Sequence, residues 1–536
     1  MSSRNRWNRA FRTSLAAAVL VTASYAQEDE ASEKQKPEEK KPAVTAIQGG
    51  DVYTVTGEII RGGTVLVQDG KILDVGQELT VPEGAKVIDA TGKVVTPGFV
   101  AISMSGVGIS GGGRGGRGGR GGGEEDEEAE EEIQLVDRLD PFDRNIKYSL
   151  GTGITTGCIQ LSSGGGRGRR GRNGEPVEVF LGLEPDPRDI PDTGLIDEDG
   201  DGQEDHVCSC CDLPIAPTEP ITAAPPTEAE PREHAVLKMS YGNLDAMLVT
   251  EDAFYDLAPG ALATAENLYE WRAAIRGARE AIRQEEQAQS AAREAAIQTQ
   301  SQGQEGRGRR GGRGGAGGFG ARGGRGGRGG GNTVSPELRK LVEKEIALRT
   351  SANTVSEIRD MIALAEELDY RLVLEGVVEG WLVASELSEA DVSVVYTPRE
   401  RRDGRLGEED TSGSSIESSA IYERLGVPFA VSALSSSISL NGLAGRDLTS
   451  LPLEAAFAVR GGASSQAALE ALTIVPARML GLADRIGSIE KGKDADILIL
   501  NGHPLDYRTY VETALVAGQV AYERAEDRVF PVYDRN

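Results

Sequence analysis

The stretch Thr64-Val-Leu-Val-Gln-Asp-Gly-Lys-Ile-Leu-Asp-Val75 sets two apolar, β-branched runs on either side of Asp69-Gly70. Both central positions of a tight hairpin turn need positive φ, which an Asp-Gly pair tolerates, so the stretch predicts two antiparallel strands joined by a two-residue turn. The same texture returns near the other end of the chain, in Asp496-Ile-Leu-Ile-Leu500, in Ala514-Leu-Val516 with Gly518, and in Val520-Ala-Tyr522. Segments this short bury no adequate core alone. The two ends are therefore expected to pair in one sheet, a composite β-sandwich whose halves are residues 45–97 and 485–527.

Between the halves, strand-like and helix-like stretches alternate. Residues 94–102, 153–161, 237 onward, 371–374, 392–396 and 428–431 read as strands, and 357–368 and 464–472 as helices. This is the βα rhythm of a parallel sheet or barrel, placed at 98–484. Residues 264–300, rich in Ala, Glu, Arg and Gln with Leu268, Trp271 and Ile275 at helical spacing, predict a long helix. Expected insertions interrupt the body at 106–132, 164–174, 190–232 and 301–334.

Composition limits the function classes. The chain has 536 residues, 85 acids against 58 Lys and Arg, and a formal charge of −27. That balance argues against a specific nucleic-acid partner, which needs a basic surface. Glycine numbers 70, and 31 of these sit in three Gly/Arg tracts, 111–123, 164–172 and 306–331. These tracts read as disordered insertions in an otherwise ordinary globular chain, because long surface loops cost little closure entropy. Arg4, Arg6, Arg9 and Arg12 precede a short apolar run from Ser14 to Ala23 and the small-residue site Ser24-Tyr25-Ala26. Residues 1–26 therefore read as a secretory signal peptide and 27–44 as a solvated linker, with a periplasmic or extracellular mature chain and no transmembrane segment in it.

At Val94-Val-Thr-Pro-Gly-Phe-Val100, at Ala477-Arg-Met-Leu-Gly-Leu-Ala-Asp484, and on through Arg485-Ile-Gly-Ser-Ile-Glu-Lys-Gly-Lys-Asp-Ala-Asp496, the sequence resembles the amidohydrolase superfamily, in particular its exported imidazolonepropionase-like branch. Asn501-Gly-His-Pro-Leu-Asp506 and Asp137-Arg-Leu-Asp-Pro-Phe-Asp-Arg144 resemble the same branch. The resemblance implies a metal-dependent (β/α)8 TIM-like barrel with a composite β-sandwich. It also implies a His-x-His pair after the Pro-Gly-Phe strand, further histidines on two later strands, and an Asp base on the last one. The matching positions here are Ser103 and Ser105, then Ser351 and Asn353, then Gly376, and finally Leu434. A neutral hydroxyl is a poor ligand for zinc beside imidazole, and leucine cannot act as a base.

The whole chain holds only His206, His234 and His503, so a His-rich dinuclear centre cannot be assembled and no barrel metal is expected. Lys238, in a Leu-Lys-Met stretch, matches a metal-bridging lysine of some relatives; the plainer reading is a salt-bridged or solvent-facing residue. Cys158, after an apolar stretch, reads as a buried small hydrophobe. Ser435-Ser-Ser-Ile-Ser439 and the serines of 412–419 would add hydroxyls to the pocket, suiting a small polar ligand or merely filling a disused site.

Asp197, Asp199, Asp201 and Asp205, with Gly202, have the spacing of a calcium loop, although position 12 is Cys208 where a bidentate Glu belongs. His206 with Cys208, Cys210 and Cys211 offers soft-metal ligands or, after export, disulfides. The expectation is an exported, catalytically degenerate barrel that acts by binding a ligand or partner, the Gly/Arg tracts offering contact to an anionic envelope polymer. Two alternatives stand beside it: an active hydrolase of non-peptide C–N bonds in cyclic amides or dipeptides, using zinc at a site not recognised in the sequence, and an envelope scaffold joined through Arg/Gly and acidic loops.

Overall fold

A computed structural model describes residues 44–109, 135–161, 229–305, 334–400, 413–438 and 447–529. The signal-peptide and linker calls (residue 44 apart), the three Gly/Arg tracts, the acidic loop with Asp197, Asp199, Asp201 and Asp205, and the cluster of His206, Cys208, Cys210 and Cys211 lie outside the described residues.

The chain opens with β1 (Thr45–Val52), β2 (Ile60–Gln68), β3 (Lys71–Gly76), β4 (Lys86–Asp89) and β5 (Val94–Pro97). β2 and β3 pair antiparallel across Asp69 (φ 50°) and Gly70 (φ 79°), the positive-φ pair that the Asp-Gly step demands. The reading of 94–102 as one strand is corrected. The chain breaks at Gly98, and β6 (Phe99–Met104) departs into a different sheet. A Cβ on Gly98 would lie 1.9 Å from Thr155 Oγ1, so only glycine lets the chain cross between layers here.

β6 pairs parallel with β7 (Ile154–Gln160), which pairs antiparallel with β8 (His234–Lys238) and through it with β9 (Leu248–Thr250). The strand expected from 237 onward thus begins at His234 and ends where it was expected to start. A second sheet follows, five parallel strands in sequence order: β10 (Phe254–Asp256), β11 (Ala347–Ala352), β12 (Leu372–Gly376), β13 (Ser393–Tyr396) and β14 (Phe429–Val431). The helix Val355–Leu368 returns the chain from β11 to β12. Its N-terminus carries a capping box, the Thr354 hydroxyl accepting from Glu357 N–H and the Glu357 carboxylate accepting from Thr354 N–H. The long helix spans Ala265–Glu305 and buries Trp271 and Ile275, two of the three residues that marked it. Among the described residues, the two body sheets share no strand ladder, and β8 and β9 break the parallel pattern.

The chain then rejoins the first sheet. β15 (Ile497–Leu500) lies antiparallel to β5, and β16 (Val511–Val516) and β17 (Gln519–Glu523) extend it, so both chain ends build one eight-stranded sheet. β15 is buried on both faces, and its side chains alternate between two cores. Ile497 and Ile499 join Ile47, Val65, Val95 and Leu515 in a core of the eight-stranded sheet. Leu498 and Leu500 face the larger core of the α/β body.

A buried ion cluster ties the body to that sheet. Lys238, at the end of β8 and only 3% exposed, meets Asp494 at 2.7 Å and Asp496 at 3.0 Å, both from the tail motif. Lys71 of β3 and Arg485 close on Asp494 as well, at 2.9 and 3.1 Å. The salt-bridged reading of Lys238 therefore holds. Burial opposes ionisation of Asp494, but hydrogen bonds from Lys238 and Lys71 and the surrounding positive charge outweigh it and hold the carboxyl at about 2, against an ordinary 3.8. Because the folded value is depressed, the stabilisation from this group is present above pH 4 and is lost as pH falls toward 2. Lys238→Met leaves Asp494 and Asp496 without their buried cation. It is expected to cost about 3–5 kcal/mol at pH 7 in a denaturant titration, with a smaller loss near pH 2.

Candidate functional site

The carboxyl ends of β11 to β14 surround a cavity of about 220 Å3. Ser351, Asn353, Gly376 and Leu434, four of the six positions singled out from the sequence, line it together with Glu375, Thr397 and Ser432. This is the end of a parallel sheet at which such folds place their sites. The other two positions stand alongside. Ser103, on β6, donates from its hydroxyl to Glu375 Oε1 at 2.8 Å. Ser105 is turned aside: its hydroxyl lies 3.0 Å from that of Ser436, and its N–H donates to Ser436 carbonyl oxygen at 2.9 Å.

Gly376 has φ 90°, and a Cβ there would stand 2.3 Å from Asn353 Oδ1. With Asn353 in place, no side chain fits at 376, an imidazole least of all. Asn353 Oδ1 is itself buried without a hydrogen-bond partner among the described residues. Leu434 is 47% exposed and brings only carbon to the rim.

The residue that organises the floor of the site was not singled out from the sequence. Arg349, on β11, is fully buried. Its Nη2 donates to Glu375 Oε2 at 2.8 Å and to the Ser103 hydroxyl, its Nε donates to Glu375 Oε2 at 3.2 Å, and its Nη1 donates to the carbonyl of Ile102 at 3.2 Å. Nε also lies 3.8 Å from Asp256 Oδ1. Asp256 sits beside it in register on β10, has no exposed surface, and accepts from Arg232 Nη2 at 2.7 Å. Two guanidinium groups thus face two carboxylates.

Burial pushes the Arg349 pKa down, but the charges of Glu375 and Asp256 more than reverse this, and the net shift is upward. Burial likewise pushes Glu375 up, while the charge of Arg349 and the hydrogen bonds from Arg349 and Ser103 outweigh it and hold the carboxyl below its ordinary 4.5. Cys158 lies in the same electrostatic field, fully buried, its thiol pushed up to about 12 by burial against the lowering influence of Arg349. It is inert packing, as its setting in the sequence suggested.

His234 serves the backbone. Its Nε2 accepts from Ala253 N–H and Phe254 N–H, both at 3.1 Å, which leaves Nδ1 to carry the proton and donate to the Arg232 carbonyl at 3.2 Å. Burial lowers its pKa, so both nitrogens are committed in the neutral form. His503 lies in the loop after β15, exposed, with Nδ1 accepting from Leu505 N–H. Among the described residues, no three His, Cys, Asp or Glu side chains are grouped to hold a metal ion. The described residues do not fit the metal that the sequence resemblance implies: a guanidinium stands against Ser103, the position which that resemblance matches to the first imidazole.

Chemically, the cavity offers hydroxyls, one amide, the carboxylate of Glu375 already neutralised by its partner, and the carboxylate of Glu400. Ser103 and Glu375 form the one hydroxyl–carboxylate contact between β6 and the cavity wall, yet a carboxylate held below its ordinary pKa and committed to Arg349 is a weak proton acceptor. The sequence signal for Arg349 is an arginine inside Ala347-Leu-Arg-Thr350, two residues before Ser351, which a buried strand tolerates only against acids. Glu375→Gln leaves Arg349 with Asp256 alone and is expected to cost about 3 kcal/mol at pH 7. Since the folded carboxyl titrates below the unfolded one, that loss shrinks as pH falls below 4.5, which urea titrations at pH 7 and pH 3 compare.

Comparison with known proteins agrees with the tail motif. Residues 423–522 match the amidohydrolase family profile. Dihydroorotase of Citrifermentans bemidjiense is 44% identical over 54 residues, 10% of this chain and 13% of that protein. Dihydropyrimidinase-related protein 5 of Homo sapiens is 47% identical over 57 residues, 11% of this chain and 10% of its own length. The chain therefore matches only a small part of each of these curated relatives. Among solved structures, an amidohydrolase from Thermotoga maritima MSB8 aligns over 90% of this chain and 100% of its own with a TM-score of 0.52 and 20% identity, a likeness of fold. The tail segment, residues 423–522, is thus similar in sequence to the amidohydrolase family, and the fold is similar to that of an amidohydrolase.

Proposed function

We propose that this protein is an exported, imidazolonepropionase-like member of the superfamily that binds a small polar ligand in its barrel mouth and does not hydrolyse it by a metal route. One observation carries the reading: the cavity at the carboxyl ends of β11 to β14 is lined by Ser351, Asn353, Thr397, Ser432, Gly376 and Leu434, with two carboxylates, Glu375, which is bound to Arg349, and Glu400. Hydroxyl and amide groups suit orientation of a polar ligand. Neither they nor a neutralised carboxylate generate a hydroxide nucleophile.

In this reading the two body sheets are arcs of one barrel. Support comes from the bonds that span them, Arg349 to Ile102 and Ser103, and Ser105 to Ser436. The eight-stranded sheet with its separate core is the composite sandwich, and the boundary at 97/98 is supported by the change of sheet at Gly98. No helix among the described residues is long and apolar enough to cross a membrane.

Metal analysis of the purified protein tests the central claim. Zinc, iron and manganese are expected well below stoichiometric, with no turnover of cyclic amides or dipeptides and no change in thermal midpoint on chelation. Stoichiometric metal together with chelator-sensitive hydrolysis would establish the rival reading, a hydrolase of C–N bonds. Export is tested separately: the secreted chain is expected to begin at Gln27 by N-terminal sequencing, and an intact Met1 in an exported fraction would reject cleavage after Ala26.

A further inference from the structure

The motif Asn501-Gly-His-Pro-Leu-Asp506 opens a loop that closes on itself after β15. Asn501 Oδ1 accepts from Tyr510 N–H at 2.7 Å, and the Tyr510 carbonyl accepts from Asn501 N–H at 3.3 Å. Inside the loop, Asp506 accepts from Arg508 through Nε at 3.0 Å and Nη2 at 2.6 Å. A loop tied at both ends presents a preformed wall, so a ligand that packs on it does not have to order it first.

Between this loop and the body lies a cavity of about 280 Å3, which shares no lining residue with the one at the carboxyl ends of β11 to β14. Its inner wall is carbon. Phe99 at the start of β6, Leu500 at the end of β15 and Val511 at the start of β16 are buried, and Leu505 of the loop packs against the same core. An apolar molecule laid on that wall leaves water favourably. Two charged residues also line the cavity, and they differ in what they have left to offer. Asp506 is neutralised by the two-nitrogen grip of Arg508, which with the Arg508 N–H holds its carboxyl at about 2. Arg524 opens the short helix Arg524–Asp527, its guanidinium 4.1 Å over the Tyr510 ring and also in contact with the Tyr522 hydroxyl. Asp527, three residues on, is paired with Lys147 at 3.0 Å, and among the described residues no carboxylate forms an ion pair with Arg524. Stacking on tyrosine fixes the plane of the guanidinium and leaves its N–H edge, a fork that matches a carboxylate, for a partner.

We propose that this cavity is a second ligand site, selective for a small carboxylate with an aromatic or branched aliphatic body, which lies against Phe99, Leu500, Leu505 and Val511 while its carboxylate meets Arg524. Such a ligand touches β6 of the body and β15 and β16 of the eight-stranded sheet at once. Binding therefore ties the two together and stabilises the folded chain by mass action.

The test titrates phenylacetate into the full chain, followed by ligand-observed NMR and by the thermal midpoint, with phenylacetamide as the uncharged counterpart. Saturable binding of phenylacetate is expected with a dissociation constant on the order of 1 mM, the scale open to a ligand of about ten heavy atoms, together with a raised midpoint. Phenylacetamide should bind about tenfold more weakly, for want of the charge-assisted pair. Arg524→Gln should bring phenylacetate down to the level of the amide, and Arg524→Lys should keep the preference for the acid. Leu453→Trp, which fills the cavity from the helix Leu451–Arg460, should abolish binding of both compounds. Leu434→Trp, at the rim of the other cavity, should change neither.

Equal affinity for acid and amide overturns the inference, as does a preference for the acid that survives Arg524→Gln. Binding that is lost in Leu434→Trp and kept in Leu453→Trp places the ligand at the ends of β11 to β14 and overturns it too, as does a lack of saturable binding up to about tenfold above the expected constant. Should Arg524→Gln fail to fold, the acid–amide comparison and the two tryptophan variants still decide. All of these failures leave the proposed function standing, because that reading concerns a cavity built from other residues.

Discussion

The site depends on a guanidinium that has no contact with water. Moving an ion of that size out of solvent costs several kcal/mol even after relaxation, and Arg349 offsets this only through the company it keeps: Glu375 by two nitrogens, the Ser103 hydroxyl, the Ile102 carbonyl, and Asp256 at longer range. Each partner is fixed in turn by its strand. The register of β10 with β11 brings Asp256 beside Arg349, and the length of the arginine side chain carries its charge up to the level of Glu375. Ser103 closes the arrangement from β6, so the same cation that neutralises the floor also holds two sheets that share no ladder.

A second buried cation does comparable work between the body and the eight-stranded sheet. Lys238 ends β8 inside the acid pair Asp494 and Asp496, and those acids flank Ala495, whose N–H donates to Gly70 and whose carbonyl accepts from Gly518. The tail motif therefore sits where the β2–β3 turn, the β16–β17 turn and the body meet. Its recognisable spacing has a physical origin: the two acids must face one lysine while the residue between them bonds to both hairpin turns.

What was legible in the sequence followed from local rules. The Asp69-Gly70 turn, the strand texture of Ile497-Leu-Ile-Leu500, and the helical spacing of Trp271 and Ile275 each express a period or a turn geometry that a few neighbouring residues determine. The pocket positions Ser351, Asn353, Gly376 and Leu434 were found by resemblance, and the strands do bring them to one cavity. Arg349 escaped because its meaning is not local. Its acids lie on other strands, one of them before the long helix, and in isolation Ala347-Leu-Arg-Thr350 gives no hint of them. His234 is conspicuous in a chain that has three histidines, yet the ring accepts from the backbone of Ala253 and Phe254. The break at Gly98 was hidden too, since Thr155, which forbids a side chain there, comes from β7.

A fixed guanidinium and a bound metal ion supply the same sign of charge but different chemistry. A metal ion takes a solvent molecule into its own coordination sphere and acidifies it, and it can polarise a substrate oxygen directly. Arg349 can only donate hydrogen bonds, and with no exposed surface it donates them all to the protein. Its influence on anything in the cavity must pass through Glu375 and Ser103, which it orients and whose charge it cancels. A ligand arriving at the mouth therefore meets hydroxyls, an amide and the Glu400 carboxylate beside a neutral ion pair. Such a wall can select by hydrogen-bond geometry, while two groups in the field of Arg349 are carried away from neutral pH, the thiol of Cys158 upward and the carboxyl of Glu375 downward. On the proposed reading the same charge balance that keeps the strands together leaves the site able to hold a polar molecule and without the means to cleave it.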